Sequence, residues 1–200
     1  MKTYTMQRCA GRPDWDNIPA LAIDTLLWTD VCDVRAWAQV AYGDDALHIR
    51  LRAQETDIRC CEQGPLGMPC LDSCLEFFFS PAEGDLRYFN IEFNPGGCVY
   101  CGFGAGRGQS VRLMSDGVLA QFCPETERTE DGWAVAYRVP YSFIRLFFPD
   151  FRAESGRAIR ANCYKCGDKT VHPHYLSWNP VASQTPEFHR PQDFGAMVFA

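Results

Sequence analysis

Asp72-Ser73-Cys74-Leu75-Glu76-Phe77-Phe78-Phe79 is the stretch whose reading decides the fold. In an extended chain successive side chains point to opposite faces, so Leu75, Phe77 and Phe79 share one face and Glu76 lies on the other. Residues 88–94 repeat the arrangement. Phe89, Ile91 and Phe93 point one way, and Tyr88, Asn90, Glu92 and Asn94 point the other. Two successive strands therefore each combine an apolar face with a face of directional polar groups.

Working outward, residues 36–42 and 47–53 alternate in the same way. Leu47, Ile49 and Leu51 oppose His48, Arg50 and Arg52, and Gly43-Asp44-Asp45 forms the turn of a hairpin. Shorter strands are expected around 98–103, 110–114 and 118–122, and residues 133–139 alternate again. Pro140-Tyr141-Ser142-Phe143-Ile144-Arg145 reads as a helical turn with proline at its first position, where the missing N–H costs nothing. Residues 1–30, with Pro13, Pro19 and Asp14-Trp15-Asp16-Asn17, read as an irregular lead-in whose Trp15 and Trp28 cover one edge of the core. Residues 54–71 form a connection of a length that is often functional. Many short strands with close turn signals and almost no helix predict an all-β fold, an antiparallel β-sandwich or jelly roll with short helical turns, spanning 1–200 as one domain.

Composition narrows the partners. The net charge of −6 over 200 residues leaves no basic stripe to displace counterions from phosphates, which excludes a general nucleic-acid binder and disfavours anionic membranes. The first residues contain no apolar run of signal-peptide length, and no window approaches a transmembrane span. The eleven cysteines are an odd number in a chain too long for a small disulfide scaffold. The expectation is a cytoplasmic protein with mostly reduced, buried cysteines. A chain trimmed of an export signal would be extracellular instead.

Residues 158–199 carry a strand with a polar face, a loop around Ser177, Trp178 and Asn179, and a closing strand over 194–199. With the strands above, this region displays Glu76, Asn90, Glu92, Arg160, Asn162 and Tyr164, which donate and accept in fixed directions toward hydroxyl groups. Lysine and threonine, the usual solvating choices, are scarce there. Trp178, on a Pro-flanked loop, reads either as a packing residue or as a platform on which an apolar sugar face stacks. Arg107, in the Gly-rich segment 102–108, is an extra donor from a loop.

Other constellations are weaker. His172, His174 and His189 read as hydrogen-bonding residues rather than metal ligands. Cys98-x-x-Cys101 and Cys163-x-x-Cys166 imitate a four-thiolate zinc site, but residues three apart in a strand point to opposite faces, so no metal site is expected. Glu76 and Glu92 form the one pair suited to glycoside hydrolysis.

Taken in order, Asp72 to Phe78, Tyr88 to Asn94, Gly156 to Asn162, Leu176-Ser177-Trp178 and Phe188-His189-x-Pro-x-x-Phe194-Gly195 resemble the family 9 carbohydrate-binding modules, members of the DOMON-like β-sandwiches. The resemblance implies a non-catalytic module, of a type associated with glycoside hydrolases and polysaccharide catabolism. Its ligand would be a mono- or oligosaccharide clamped between two tryptophans. Trp178 matches one clamp tryptophan, Glu76 a sugar-binding glutamate, and Asn90 the place of a ligand-binding arginine. The second clamp position holds Pro69, Cys70 and Leu71, so the resemblance implies half a clamp. No cofactor is expected beyond the structural calcium some members carry. A haem or metal domain, with Met68 and His189 as axial ligands, is the DOMON-like alternative.

Overall fold

The computed structural model describes residues 1–30, 32–113 and 120–200. Its strands in chain order are β1 (Thr3–Arg8), β2 (Leu21–Ile23), β3 (Thr25–Leu26), β4 (Arg35–Tyr42), β5 (Ala46–Gln54), β6 (Cys74–Ser80), β7 (Tyr88–Phe93), β8 (Val99–Gly104), β9 (Ser110–Arg112), β10 (Glu125–Thr129) and β11 (Gly132–Pro140). A short helix, α1 (Tyr141–Arg145), precedes β12 (Ala158–Cys166), β13 (Tyr175–Ser177) and β14 (Gly195–Phe199). The pairing path runs β10-β11-β5-β4-β1-β14-β12-β6-β7-β8-β9, with β2, β3 and β13 attached to its sides.

The apolar alternation curls this path onto itself. Leu47, Ile49 and Leu51 of β5 and Trp133 and Val135 of β11 share one core with Leu75, Phe77 and Phe79 of β6 and Phe89, Ile91 and Phe93 of β7. Each fully buried aromatic or aliphatic side chain there contributes about 1.5–3 kcal/mol of transfer free energy, so the period-2 pattern selects which face turns inward. The result is the expected β-sandwich. One strand stitches its two halves together: Thr3–Met6 of β1 pair in parallel with β14, and Gln7 and Arg8 pair in parallel with β4. The sandwich is thus mixed rather than wholly antiparallel. β1 to β3 also correct the reading of 1–30 as irregular. Their few apolar residues become legible only against β4, β13 and β14.

Two smaller expectations change. The strand foreseen at 118–122 lies outside the described residues at 118 and 119, and its described part, 120–122, is helical. Pro140 caps α1 from an extended conformation, one position before the helix. The 43–45 hairpin turn is as expected, closed by the Gly43 amide donating to the Ala46 carbonyl at 2.9 Å.

Strands β6 and β7 are buried along their entire length, on both faces. A second apolar cluster explains why. Phe78, Tyr88, Tyr164 and Cys166, on the face away from the main core, are roofed by Val181, Phe188 and Phe194, with Leu27, Trp28 and Tyr175 at the side. The polar residues of this face therefore sit in a recess under the chain that follows β12.

Two buried networks hold the walls. Asp72, with no exposure, accepts from the Arg59 guanidinium at 3.0 Å and from the amides of Cys61 and Glu62 and the Asn94 side chain at 2.8 Å each. One carboxylate thus organises the long 54–71 connection. Between the sheet halves, Lys165 Nζ lies 3.3 Å from Glu55 Oε2 and 2.8 Å from His174 Nε2. Glu55 also accepts from the Trp133 indole at 2.6 Å and Ser73 at 3.0 Å. His174 Nδ1 faces the His172 carbonyl, which can only accept, so Nε2 is the acceptor for Lys165. Burial and Lys165 lower the His174 pKa to about 4, consistent with a neutral ring.

Candidate functional site

Cross-strand register assembles the recess floor. Tyr164 of β12 stands opposite Glu76 of β6, Glu76 opposite Glu92 of β7, and Glu92 opposite Tyr100 of β8. One row of four strands thus places two carboxyls side by side between two tyrosines. Asn90, two residues from Glu92 on the same face, stands opposite Gly102. A Cβ on residue 102 would lie 2.1 Å from Asn90 Oδ1 and 2.7 Å from the Tyr100 ring. Glycine at 102 is what lets Asn90 lie across the floor.

Above the floor is a cavity of about 350 Å³, lined by Glu76, Asn90, Glu92, Tyr100, Cys166, Trp28, Tyr175, His189 and Arg107 among others. Glu76, Asn90 and Glu92 are 2%, 1% and 6% exposed. Asn90 Nδ2 donates to Glu92 Oε1 at 2.8 Å, which leaves Asn90 Oδ1 and Glu92 Oε2 buried with no partner among the described residues. A buried acceptor left unmade costs about 1–3 kcal/mol, so such atoms persist where something else compensates. Burial raises the Glu92 pKa to about 7, against the lowering pull of Asn90. Burial, then Cys166 and Glu92, push Glu76 well above the usual carboxylate range.

The rim is aromatic on one side. Trp28 is half-buried, its indole N–H donating to the Ser183 carbonyl at 2.8 Å, and its ring meets Tyr175 edge-on at 5.6 Å and Phe188 at 5.4 Å. Its backbone is left-handed, with φ of 56°. For a bulky L-residue this conformation costs about 1–2 kcal/mol, a strain that tertiary contacts sustain and that clusters at functional positions. Across the opening, Arg107 bonds Glu187 at 2.8 Å and remains exposed. His189 Nδ1 lies 2.7 Å from the Tyr88 hydroxyl, and burial lowers the His189 pKa to about 4.

The structure thus gathers four of the residues singled out from the sequence, Glu76, Asn90, Glu92 and Arg107, around one cavity. The others support it from outside. Trp178 is a correction: it is 4% exposed and belongs to the main core, not the cavity. Its ring packs across Gly195, where a Cβ would come within 2.6 Å of it. The amide of Trp178 donates to Cys163 at 2.9 Å, continuing the β12 pairing and drawing the residue inward. Asn162 has no exposure: its side chain accepts from the Asn179 amide at 2.8 Å and donates to the Asn179 carbonyl at 2.9 Å, anchoring the loop. Tyr164 stacks on Phe188 at 4.1 Å and bonds its carbonyl. The Arg160 guanidinium is taken up by the carbonyls of Phe194 and Gly195. Trp28, read from sequence as edge cover, is the tryptophan at the cavity. Its sequence signal was only that a tryptophan stands in a turn-rich segment.

A larger depression, about 660 Å³, lies beside Glu55, Asp131 and His174. Its buried acid Glu55 is already bonded to Lys165, Trp133 and Ser73, and Asp131 to Arg52, so among the described residues it offers no comparable buried, unmet acceptors. Of the axial pair considered for haem, His189 is held by Tyr88, and Met68 Sδ lies 3.7 Å from the Arg112 guanidinium. Among the described residues the one close group of three histidine, cysteine or acidic side chains is Cys74, Glu76 and Cys166. No helix among the described residues is long and apolar enough to cross a membrane.

A β-sandwich with a recessed polar floor and an aromatic rim on one sheet face has the build of a carbohydrate-binding module. The sequence model of carbohydrate-binding family 9 matches residues 12–199, and the chain belongs to that family. No curated protein matches it. Among solved structures, it is 26% identical to a candidate carbohydrate-binding protein from Bacteroides uniformis, covering 100% of this chain and 99% of that one with a TM-score of 0.86. A family 9 carbohydrate-binding module from Caldicellulosiruptor kristjanssonii in complex with glucose is 12% identical, with 100% and 96% coverage and a TM-score of 0.71. A structure of such a module from the same organism in complex with cellotriose gives 12%, 99% and 93% coverage, and 0.70. At 12% identity, these two likenesses speak for the fold.

Proposed function

We propose that the chain binds a mono- or oligosaccharide in this cavity without transforming it. A sugar ring rests against the Trp28–Tyr175 side, its hydroxyls donate to Glu76, Asn90 and Glu92, and Arg107 reaches in from the loop above. The observation that carries the reading is the pair of buried, unpartnered acceptors, Asn90 Oδ1 and Glu92 Oε2. A floor made of acceptors asks for a ligand rich in neutral donors, which a polyol supplies and an anion does not. The half-buried indole adds the apolar surface against which sugar C–H groups pack. The glucose and cellotriose complexes of the Caldicellulosiruptor modules support the ligand class.

Titration calorimetry with glucose and cellotriose tests this. Binding of at least one is expected, weakened about 5- to 30-fold in Trp28→Ala and in Asn90→Ala, since a lost bond to a buried acceptor or a lost aromatic wall is worth about 1–2 kcal/mol. Absence of heat with both sugars, or unchanged affinity in both folded variants, refutes the assignment.

A further inference from the structure

Beneath one end of the cavity, Cys166 of β12 stands directly opposite Cys74 of β6, and Glu76 lies two residues along from Cys74 on the same face. One ligand atom from each of the three lies within 4.8 Å of the others, and all three residues are 0–2% exposed. Cys166 Sγ sits 3.1 Å from Glu76 Oε1. No basic side chain among the described residues is paired with Glu76, so the acid is buried beside two thiols with no basic partner. Glu76 and Cys166 both line the cavity, which gives an ion an entry path.

We propose that Cys74, Glu76 and Cys166 form a site for a borderline-soft divalent cation, of which zinc is the natural case. Two sulfurs and one carboxylate match zinc chemistry rather than calcium or magnesium chemistry. Three protein ligands leave a fourth position, which water from the cavity fills. With Zn–S of about 2.3 Å and Zn–O of about 2.1 Å, tetrahedral ligand atoms stand about 3.5–3.8 Å apart, so no pair wider than that closes by more than about an ångström, and Cys166 Sγ and Glu76 Oε1, at 3.1 Å, separate by about half an ångström. Binding displaces the protons that the thiols and carboxyl hold when no ion is present. The site shares Glu76 with the sugar reading but does not rest on it: its two cysteines lie on β6 and β12, whereas the unmet acceptors that carry the sugar reading, Asn90 Oδ1 and Glu92 Oε2, belong to β7. It also uses neither cysteine pair that the sequence spacing had suggested, since Cys163 points into the main core and Cys166 away from it.

Cobalt(II) added to the reduced, chelator-treated full chain is the probe. One equivalent per chain is expected, with thiolate-to-cobalt charge transfer in the near ultraviolet, visible bands of tetrahedral type, and displacement by zinc. The bands should be lost in Cys74→Ser and in Cys166→Ser, each checked for folding by circular dichroism. They should persist in a Cys61→Ser/Cys123→Ser double variant, which removes the two exposed thiols. Zinc should also raise the melting temperature of the parent chain and not that of Cys74→Ala, a readout that holds if one serine variant fails to fold. Absence of charge transfer in the parent, retention of the bands in folded Cys74→Ser, or a Cys74–Cys166 disulfide that persists in reductant overturns the proposal. Sugar calorimetry on the same chelated protein reports separately on the cavity.

Discussion

Glu92→Gln in the ligand-free protein separates a ligand-binding floor from a merely structural one. Glu92 is 6% exposed, and its carboxyl is raised by burial from 4.5 to about 7. Because the folded value lies above the unfolded one, folding favours the protonated acid. Its contribution is fully present below about pH 4.5 and is lost as pH rises through about 7. A shift of 2.5 units at about 1.36 kcal/mol per unit puts the loss on the order of 3 kcal/mol by pH 8, with about 2 kcal/mol already gone at pH 6. Glutamine keeps an oxygen for the Asn90 amide and never ionises. The variant should therefore match the parent at pH 4 and exceed it by about 3 kcal/mol at pH 8, while binding sugar more weakly. Urea unfolding at pH 4, 6 and 8, extrapolated linearly to water, reads the difference. A gain below about 1 kcal/mol at pH 8, or one that is the same at pH 4, refutes the reasoning. A stability gain paired with lost affinity is the signature of residues kept for binding.

Other consequences follow from the packing. Trp178→Ala should cost about 3–5 kcal/mol in thermal or urea unfolding, because it empties a core site that Gly195 leaves room for. A cost below 1 kcal/mol would mean that the ring is not packed there. Lys165→Met should cost about 3–5 kcal/mol by leaving Glu55 uncompensated, and adding Glu55→Gln should restore much of it. Simple additivity of the two substitutions in a double-mutant cycle would show that the pair is not coupled.

The strands were legible because burial on one face writes a period of two into the sequence. β5, β6, β7 and β11 fall where alternating apolar residues stand, and the polar partners on β6 and β7, Glu76, Asn90 and Glu92, are the cavity floor. Arg107 was legible from its Gly-rich loop. Trp178 was misjudged because a polar, Pro-flanked loop is normally a surface, and nothing local says that Gly195 opens a core site beneath it. Trp28 was missed for the opposite reason. Its role comes from Tyr175 and Phe188, more than a hundred residues away, and from a left-handed backbone that no residue type announces.

By itself, then, the sequence determined the sandwich, the inward apolar face and the kind of polar group shown on the other. Those are properties of single strands, set by local alternation. Only the tertiary structure decided that this second face is roofed, that Glu76 meets Glu92 and Cys74 meets Cys166, and which tryptophan borders the opening. Register between strands and the path of the chain over them are long-range outcomes, selected by the burial of the whole rather than by any one segment.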